Sequence, residues 1–554
     1  MAMLAAPRPD DVYDSDTIAA FRSAGHWRDG VLSATLDRLA VDQPDRVLVS
    51  DGYGTLTTAG LRRKAYRLGA ALLGLGLRPG DRVQVQLPNW NEFVVVYVAL
   101  ARIGAVLVPT MPIYRHDEVG YVLLHSGARF SIVPQEFRGF DYPEMLAQIR
   151  DSAPELEHVI TVRGAGATDT VRLEDLMAGD GAPGDDVLGA PPSADAPHCI
   201  IYTSGTESRP KGCLHTLNTV TFTVSALGGE VMSMGPRDVM FMPSPVTHAT
   251  GLAMGVTAPL MLGAGIHLMD VWQPRGALER IAHHGCTLSM TATPFVQMML
   301  AEVSSDPAAA GQLGSLRCWA CAGAPIPEVM LQGWAQSVPG CALLPVYGRS
   351  EGLLVTACST TDSARHVLSS DGRAFPGVVL EIRDEDGKPV PAGTEGEICH
   401  GGPGLMLGYW RDPELTARSV DAAGVSRSGD LGRVDADGYL RVTGRIKDMI
   451  IRGGINISAA EVENHLLAHP NVADAAVVAV PDARLGERAC AFIVPRGEAP
   501  TLAELTRFLR EERRIAPQKL PEYLQIAEFL PTTMTGKVQK FLLRDQVKGL
   551  GDAS

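Results

Sequence analysis

The residues whose types and spacing could do chemistry begin with the stretch 202–212, which reads YTSGTESRPKG. It continues the apolar run 199–202, which has the character of a β-strand. The hydroxyls, bare backbone positions and cations of this stretch come from Thr203, Ser204, Gly205, Thr206, Ser208, Arg209, Lys211 and Gly212. A loop of small residues lets successive backbone N–H groups turn toward an anion, while nearby cations offset its charge. The pattern predicts a polyphosphate-binding loop, with a polar surface turn as the alternative; the spacing of a Walker A loop is absent.

Length and composition restrict the class of protein. The chain has 554 residues, which is enough for about three to four domains. Its formal net charge is −14 and no basic stripe stands out, which argues against nucleic acid as a partner. Residues 1–9 lack the charged start and apolar core of a signal peptide. The apolar stretch 93–109 is broken by Arg102 and Gly104 and is too short to span a bilayer, so we expect a cytoplasmic protein.

Nine cysteines are scattered along the chain, and their number is odd. The close pair Cys318 and Cys321 has neither a second cysteine pair nor a histidine cluster nearby that would complete a metal site. We therefore interpret both residues as core side chains of a reduced protein.

Hydrophobic spacing predicts the elements that must position these groups. Apolar residues at spacings of four, three and four predict a helix that begins near Thr57. Residues 82–87 alternate as a strand does, residues 91–103 suit a buried helix, and residues 105–108 suit a buried strand. Strand–helix–strand units of this length predict a parallel, layered α/β sheet.

The two ends of the chain have a different pattern. Residues 1–35 are predicted to be an irregular lead-in that Trp27 anchors. Near the other end, SAAE at 458–461 is a capping box that opens a helix, and a second helix is predicted at 502–510. Residues 531–540, PTTMTGKVQK, are predicted to form an exposed loop.

The phosphate loop resembles the TSGTTGxPKG signature of the adenylate-forming (ANL) superfamily, which includes acyl-CoA synthetases, adenylation domains and beetle luciferases. Glu207 and Ser208 stand where that signature has Thr and Gly. Further segments resemble the family in the same order along the chain: 243–251, 319–327, 347–352, 401–410, 428–431, 444–448 and 531–537. The resemblance covers about residues 40–545, and its specificity lies in the combined order of the motifs.

The resemblance implies a fold and a domain division. We expect the α/β ANL fold, with a large N-terminal domain of layered α/β subdomains over residues 1–445. A small mobile α+β C-terminal domain would follow over residues 446–554, with its hinge near Lys447. Gly453 and Gly454 match the segment that lines the tunnel for the thiol of coenzyme A. A homodimer is possible.

The resemblance also implies roles for single residues. Lys537 matches the catalytic lysine, and Glu351 and Thr206 match the Mg²⁺ ligands. His248 matches the position that lines the acyl-carboxylate pocket, although a lone histidine there is by default a satisfied polar group at a helix start. The residues assigned to ATP are Thr203, Ser204, Gly205, Thr206, Lys211, Gly323, Ala324, Pro325, Tyr347, Gly348, Ser350, Asp430, Arg445 and Lys537.

These assignments agree with the chemistry of the side chains. An aromatic ring such as that of Tyr347 suits stacking on adenine, which is flat. The carboxylate of Asp430 can accept hydrogen bonds from both ribose hydroxyls, and Arg445 can add a contact to ribose or phosphate. Mg²⁺ prefers hard oxygen ligands and substrate phosphates, which suits Glu351; the alternative is a solvated loop acid.

The acid-binding pocket is predicted to be mostly apolar. Its residues are His248, Gly251, Met254, Phe295, Gly323, Tyr347 and Leu353. Relatives that activate amino acids carry an Asp for the α-ammonium near this region, and none stands at residues 245–251. A plain organic acid is therefore expected, and medium-chain, aromatic and alicyclic acids all stay open.

Three functions are compatible with the sequence. The first is an acyl-CoA synthetase that uses ATP, Mg²⁺ and coenzyme A to convert a carboxylic acid into an acyl-adenylate and then a thioester. The second is an acyl-adenylate ligase that loads a separate carrier protein. The third is a non-catalytic acyl- or nucleotide-binding relative, which the unusual pair Glu207 and Ser208 keeps open.

Overall fold

The structure is a computed structural model of the chain, and it describes residues 7–203, 209–324, 326–482, 484–533, 537–548 and 550. Among the described residues, three larger sheets and the two-stranded sheet of Glu136–Phe137 and Phe140–Asp141 lie before residue 446, and one five-stranded sheet lies after it. The described residues form no strand pair that crosses this point. The predicted division after residue 445 coincides with this change of sheet.

The largest sheet has nine strands and is parallel through its centre. Its strands are, in spatial order, Arg373–Ala374, Leu353–Ala357, Ala342–Arg349, Cys318–Ala322, Leu288–Ala292, Val239–Met242, Gly265–Leu268, Val47–Ser50 and Thr55–Thr57. Parallel sheets of this kind need helices on their faces, because each crossover returns the chain to the same edge. The carboxyl ends of the central strands lead into the segments that carry the predicted adenine and pocket residues.

The second sheet has eight strands and carries the phosphate loop. Its order is Gly408–Tyr409, Gly212–Thr216, Pro197–Tyr202, Val106–Pro109, Arg82–Val85, Phe130–Pro134, His158–Val162 and Thr170–Arg172. The strands predicted at 82–87 and 105–108 pair in parallel here, as the strand–helix–strand pattern indicated. The helix between them, Asn91–Ile103, has the predicted bounds and is buried along almost its whole length.

The third sheet has four antiparallel strands and ends at the predicted hinge. Its strands are Val379–Arg383, Gly396–Gly401, Val425–Val434 and Leu440–Arg445. Asp430 and Arg445 are directly paired in its last ladder. The sheet therefore places the two predicted ribose residues side by side.

Helices cover the sheets before residue 446, and two π-helical segments lie among them. The α-helices there are Ser15–Ser23, Leu32–Asp42, Thr58–Gly74, Asn91–Ile103, His116–Ser126, Tyr142–Gln148, Leu173–Leu176, Asp185–Leu188, Leu217–Thr223, Ala258–Leu262, Pro274–His284, Thr293–Ser305, Glu328–Ser337, Ala364–Ser369 and Pro413–Ser419. The π-helical segments are Val224–Val231 and Gly251–Thr257. Such segments are rare and are frequent at functional sites. No helix of the described residues is long and apolar enough to cross a bilayer.

The remaining sheet belongs to the C-terminal part of the chain. Its strands are Ile455–Ser458, Met449–Arg452, Gly486–Pro495, Val472–Asp482 and Tyr523–Ile526, and its helices are Ala459–Leu466, Leu502–Glu511 and Lys540–Val547. Short 3₁₀ turns also occur in the chain, at Pro9–Asp11, Arg150–Ser152, Pro307–Leu313, Ile446–Asp448 and Pro517–Lys519. Strands with helices on this sheet make the C-terminal part an α+β unit.

Two predictions about local structure need correction. The lead-in is not irregular, because residues 15–23 form a helix that Asp14 caps by accepting a hydrogen bond from the Thr17 N–H. Trp27 is the anchor that was predicted, since it is 1 % exposed and its Nε1–H donates to the Pro403 carbonyl at 2.9 Å.

The capping box at 458–461 is only half formed. The Ser458 hydroxyl accepts a hydrogen bond from the Glu461 N–H, as predicted. The Glu461 carboxylate instead holds the ammonium of Lys519, at 2.6 Å and 2.7 Å. A charged partner competes well with a backbone N–H because charge-assisted hydrogen bonds are stronger.

The cysteine prediction is confirmed. All nine cysteines are free and buried. Burial raises the pKa of both Cys318 and Cys321 to about 12, so these thiols are protonated core groups.

Candidate active site

The predicted nucleotide residues at 347–353 lie on a tight hairpin, called here the 347–353 hairpin. It joins the antiparallel strands Ala342–Arg349 and Leu353–Ala357. A Cβ added to Gly348 would lie 2.0 Å from the Leu353 carbonyl oxygen, so only glycine fits. Leu353 has a φ of 54°, in the left-handed region that a leucine rarely adopts. Strained backbone of this kind persists only where its surroundings hold it, and it is common at functional sites.

Glu351 is buried and held by two partners. Its Oε1 accepts a hydrogen bond from the Tyr409 hydroxyl at 2.8 Å and pairs with Arg349 Nη2 at 3.0 Å. Burial alone would raise the pKa of Glu351, but Arg349 and Tyr409 lower it below its ordinary value, so the carboxylate is ionised. Among the described residues, both of these contacts fall on Oε1. Oε2 therefore suits a Mg²⁺ ion whose other ligands come from phosphate and water.

Asp430 joins the hairpin to the third sheet. Its Oδ2 accepts a hydrogen bond from the Tyr347 hydroxyl at 2.8 Å, and its Oδ1 lies 3.0 Å from Arg445 Nε. Each carboxylate oxygen has a second lone pair, so both can still accept a ribose hydroxyl. The structure thus brings Tyr347, Asp430 and Arg445 together; their roles toward adenine and ribose stay predictions.

Lys537 reaches this cleft from the C-terminal unit. Its backbone N–H donates to Thr533 Oγ1 at 3.1 Å, which holds the residue within its own loop. Its pKa is lowered to about 8, first by burial and then by Arg445, while Asp430 and Glu351 act in the opposite direction. The lysine therefore lies among the predicted nucleotide residues. The prediction of an exposed loop is wrong at this residue, which is half-buried; residues 534–536 lie outside the described part of the chain.

His248, which is predicted to line the acid pocket, is affected by the charge of the same lysine. Burial and, second, the charge of Lys537 lower the pKa of His248 to about 4, so its imidazole is neutral at pH 7. The turn before it is close: the His248 N–H donates to the Pro245 carbonyl at 3.0 Å. A Cβ on Gly251 would lie 2.1 Å from that carbonyl oxygen, so the turn itself requires glycine at this position. Gly251 is also predicted to line the pocket.

The other predicted pocket residues are buried or lie at turns among apolar groups. Met254 belongs to the largest core cluster, and Phe295 meets Trp272 edge to face with ring centres 5.0 Å apart. Gly323 has a φ of +94°, which ends the strand Cys318–Ala322 in the predicted turn. The carbonyl of Ala324 accepts a hydrogen bond from Thr293 Oγ1 at 3.2 Å. Pro325 lies outside the described residues.

The base of the phosphate loop is closed by Thr203 and Lys211. The Thr203 N–H donates to the Lys211 carbonyl at 2.9 Å, and the Lys211 N–H donates to Thr203 Oγ1 at 3.2 Å. The Lys211 ammonium lies 5.5 Å from the ring centre of Tyr409, the residue that binds Glu351. Arg209 pairs with Asp117 at the exposed surface. The predicted residues Ser204, Gly205 and Thr206 lie outside the described part, as do Glu207 and Ser208.

The remaining predicted residues lie at turns. The Ser350 carbonyl accepts a hydrogen bond from His215 Nε2 at 2.8 Å. Lys447 is in the 3₁₀ turn Ile446–Asp448, and its carbonyl accepts a hydrogen bond from Arg544. Gly453 and Gly454 form an exposed β-turn with φ values of +57° and +80°. The structure does not bring this exposed turn into the cleft that holds Lys537.

Three residues of the cleft were missed by the sequence reasoning. Arg349 could have been found from the strand period, because alternate residues of a strand share a face with Tyr347. Tyr409 stood in the segment 401–410, to which no residue role was assigned, and only the tertiary fold brings it to Glu351. His400 is buried, and its Nε2 has no hydrogen-bond partner among the described residues. A Cβ on Gly352 would lie 2.4 Å from its ring.

Comparisons with known proteins identify the family. Residues 36–410 match the family model of the AMP-binding enzymes, and residues 461–537 match the model of the AMP-binding enzyme C-terminal domain. The chain is 37 % identical to the medium-chain fatty-acid–CoA ligase of Escherichia coli over 96 % of its own length and 92 % of the relative's. It is 34 % identical to the salicyl-AMP ligase/salicyl-S-ArCP synthetase of Mycobacterium tuberculosis, over 98 % of its own length and 94 % of the relative's.

A solved structure supports the same assignment for the fold. The anthranilate CoA ligase AuaEII, in complex with anthranoyl-AMP, superposes with a TM-score of 0.85 at 25 % identity, covering 95 % of this chain and 98 % of the other. The α/β ANL fold and the resemblance stated from the motifs are thereby confirmed. The chain belongs to the AMP-binding enzyme family of adenylate-forming ligases.

Proposed function

We propose that this protein is an acyl-CoA ligase, which joins an apolar carboxylic acid first to AMP and then to coenzyme A. The observation that carries the proposal is the position of Lys537. Its charge acts on His248, on the acid side, and it lies among Arg445, Asp430 and Glu351, on the nucleotide side. A cation between an acid pocket and a nucleotide pocket suits the attack of a carboxylate on the α-phosphorus of ATP.

The first step needs positioning and positive charge rather than a protein nucleophile. A carboxylate is a poor electrophile, and the mixed anhydride with AMP gives it a good leaving group. Its oxygen forms a bond to the α-phosphorus while the bond to the pyrophosphate oxygen breaks. Negative charge gathers on the phosphoryl oxygens in the transition state, so fixed cations lower the barrier. Lys537, Arg445 and the base of the phosphate loop at Lys211 supply these cations.

The residues present fit a Mg²⁺ ion at Glu351. The carboxylate is ionised, and Oε2 makes no hydrogen bond to the described residues, so one hard ligand is available. When bound, Mg²⁺ would neutralise charge on the phosphates of ATP. Tyr409 and Arg349 keep the carboxylate in place through Oε1.

The second step needs a thiol at the same carbonyl carbon. The sulfur of coenzyme A would form the thioester as the bond between the carbonyl carbon and AMP breaks. We infer that the C-terminal unit rotates about Lys447, withdraws Lys537 and brings the turn Gly453–Gly454 to the thiol passage. Glycines suit a narrow passage because they have no side chain. Such gating of successive steps by a moving unit is common in enzymes.

The pocket favours an acid without a second charge. His248 is neutral, Met254 and Phe295 are apolar, and no acidic residue stands at 245–251 to pair with an α-ammonium. The named relatives act on a medium-chain fatty acid and on salicylate. Medium-chain and aromatic acids are therefore the first classes to test.

Transfer to a carrier protein is the second candidate function. It is favoured by one finding, the 34 % identity to a salicyl-S-ArCP synthetase over nearly the whole chain. The chemistry is the same up to the acyl-adenylate, and only the thiol that accepts the acyl group differs.

The test begins with exchange of labelled pyrophosphate into ATP in the presence of single carboxylic acids. Octanoate, benzoate, salicylate and cyclohexanecarboxylate form the first panel, with an amino acid as the negative control. Acid-dependent exchange is expected for at least one of the four. Thioester formation with free coenzyme A, compared with a phosphopantetheinylated carrier protein, then separates the two candidates. Exchange with none of the acids, together with no binding of ATP, would contradict both.

A further inference from the structure

Arg349 lies beside Glu351 and has no role in the function proposed so far beyond holding that carboxylate. Its side chain is 16 % exposed, and its Nη2 lies 3.0 Å from Glu351 Oε1. Its Nη1–H donates to the Arg427 carbonyl at 3.4 Å, a long and weak hydrogen bond. The strained 347–353 hairpin fixes the backbone beneath it. A guanidinium has five N–H donors, so these contacts leave most of its capacity for another acceptor.

The charges around Arg349 are unbalanced in the direction that favours an anion. Among the described residues, the cations of this cleft are Arg349, Arg445, Lys537 and, at the base of the phosphate loop, Lys211, and its carboxylates are Glu351 and Asp430. The described part of the cleft therefore has more cations than carboxylates.

We propose that Arg349 is a catalytic residue that binds a phosphate group of ATP. The guanidinium turns from Glu351 Oε1 toward phosphate oxygens as the nucleotide enters, while the Tyr409 hydroxyl stays on Oε1. A planar guanidinium matches two phosphate oxygens at once, which a lysine ammonium does not. The exchange involves hydrogen bonds only, and no proton or covalent bond moves. This inference rests on the proposed function, since it assigns a residue to the adenylation step.

A purely structural role predicts a different result. If Arg349 served only to hold Glu351, breaking the ion pair from either side would harm nucleotide binding in the same direction. A phosphate contact instead gives the two partners opposite signs. Removing Arg349 removes an attraction for phosphate, whereas removing the charge of Glu351 removes a repulsion and frees Arg349.

The decisive measurement is ATP binding by calorimetry in EDTA, where the metal-binding role of Glu351 does not enter. Arg349→Gln is expected to weaken ATP binding about tenfold or more, as for the loss of a charge-assisted hydrogen bond. Glu351→Gln is expected to bind ATP as tightly as the wild type or more tightly. Arg349→Lys should lie between Arg349→Gln and the wild type. Arg427→Gln, which loses an ion pair with Glu397 outside this cluster, is the matched control and should leave the affinity unchanged.

Equal weakening by Arg349→Gln and Glu351→Gln, or unchanged ATP affinity in Arg349→Gln, would overturn the proposal. If Arg349→Gln does not fold, the double variant Arg349→Gln/Glu351→Gln, which leaves no unpaired buried charge, replaces it. Its ATP affinity should then fall below that of Glu351→Gln, and equality between the two would again overturn the proposal. Failure of the proposed function would be seen separately, as a wild-type protein that binds ATP without any acid-dependent exchange.

Discussion

The 347–353 hairpin and the loop that carries Lys537 supply the two sides of the candidate site in opposite ways. The hairpin is fixed in place. Its Tyr347 is bonded to Asp430, its Glu351 to Tyr409, and its backbone is strained at Leu353. Lys537 is bonded through its backbone within its own loop, and it contributes its charge to the cleft from the C-terminal unit.

The difference indicates that the nucleotide side of the site is fixed in advance by the 347–353 hairpin, whereas Lys537 is carried by a separate C-terminal unit. Fixed dipoles and charges stabilise a transition state without reorganising during the reaction, which suits the nucleotide side. A lysine on a separate sheet can leave when the second step needs a thiol in the same place. Changes on the two sides should therefore affect the two half-reactions differently.

The largest effect is expected from Lys537→Ala. Removing one electrostatic group that acts on the transition state costs about 10²–10³ in rate, so adenylate formation should fall by that factor. Thioester formation from a supplied acyl-adenylate should stay within about twofold, because the proposed rotation withdraws Lys537 in that step. Pyrophosphate exchange and a thiol-consumption assay measure the two half-reactions. The control is Lys548→Ala, since Lys548 forms an exposed pair with Asp545. Equal loss of both half-reactions would contradict the proposal that Lys537 acts in adenylation only.

Glu351→Gln tests the fixed side. The neutral amide keeps the size of the side chain and an acceptor but loses the charge that suits Mg²⁺. The adenylation rate at low Mg²⁺ should fall by about 10²-fold, and higher Mg²⁺ should restore part of it. A titration of exchange rate against Mg²⁺ concentration measures the shift. An unchanged Mg²⁺ requirement would show that this carboxylate does not hold the metal.

The pH dependence of adenylation should report the lysine. The pKa of Lys537 is about 8, lowered first by burial and then by Arg445, so the residue is charged below this pH and neutral above it. The value of kcat/KM for ATP should therefore decline above pH 8, by about tenfold per pH unit. Thioester formation from supplied acyl-adenylate should lack this decline. A descending limb close to the ordinary lysine pKa of 10.5 would mean that Lys537 is not buried in the cleft before ATP binds.

Much of this arrangement could be predicted from the sequence, because the residues predicted to touch ATP are grouped in short motifs. The strand–helix–strand unit ending at Val106–Pro109 follows from hydrophobic spacing, and the helix Asn91–Ile103 has the predicted bounds. The order of the motifs predicted the family. Position in a motif, however, says nothing about distant partners.

What could not be predicted depends on contacts between remote segments. Tyr409 donates to Glu351 across 58 positions of sequence, and no local pattern marks that pair. The capping box at Ser458 failed for the same reason, since Lys519 takes the carboxylate of Glu461. The helix Ser15–Ser23, by contrast, could have been predicted from a local signal, because Asp14 is a typical N-cap residue. The prediction of an irregular lead-in over residues 1–35 overlooked it.

The smallest effect is expected at the turn Gly453–Gly454, which should affect the half-reaction that Lys537 does not. Gly454 has a φ of +80° and nothing within 4 Å of an added Cβ, so Gly454→Ala should fold at a backbone cost of about 1 kcal/mol. If this turn lines the thiol passage after rotation, thioester formation should slow about three- to tenfold while adenylation is unchanged, the reverse of Lys537→Ala. Gly497→Ala is the matched control, because Gly497 has a φ of +85° and equally open surroundings in the same C-terminal unit. Similar losses in both glycine variants would assign the effect to backbone strain. A loss confined to Gly454→Ala, and to the thioester step, would support a role for the C-terminal unit in both half-reactions. Lys537 would act in adenylation, and the turn Gly453–Gly454 would act in thioester formation.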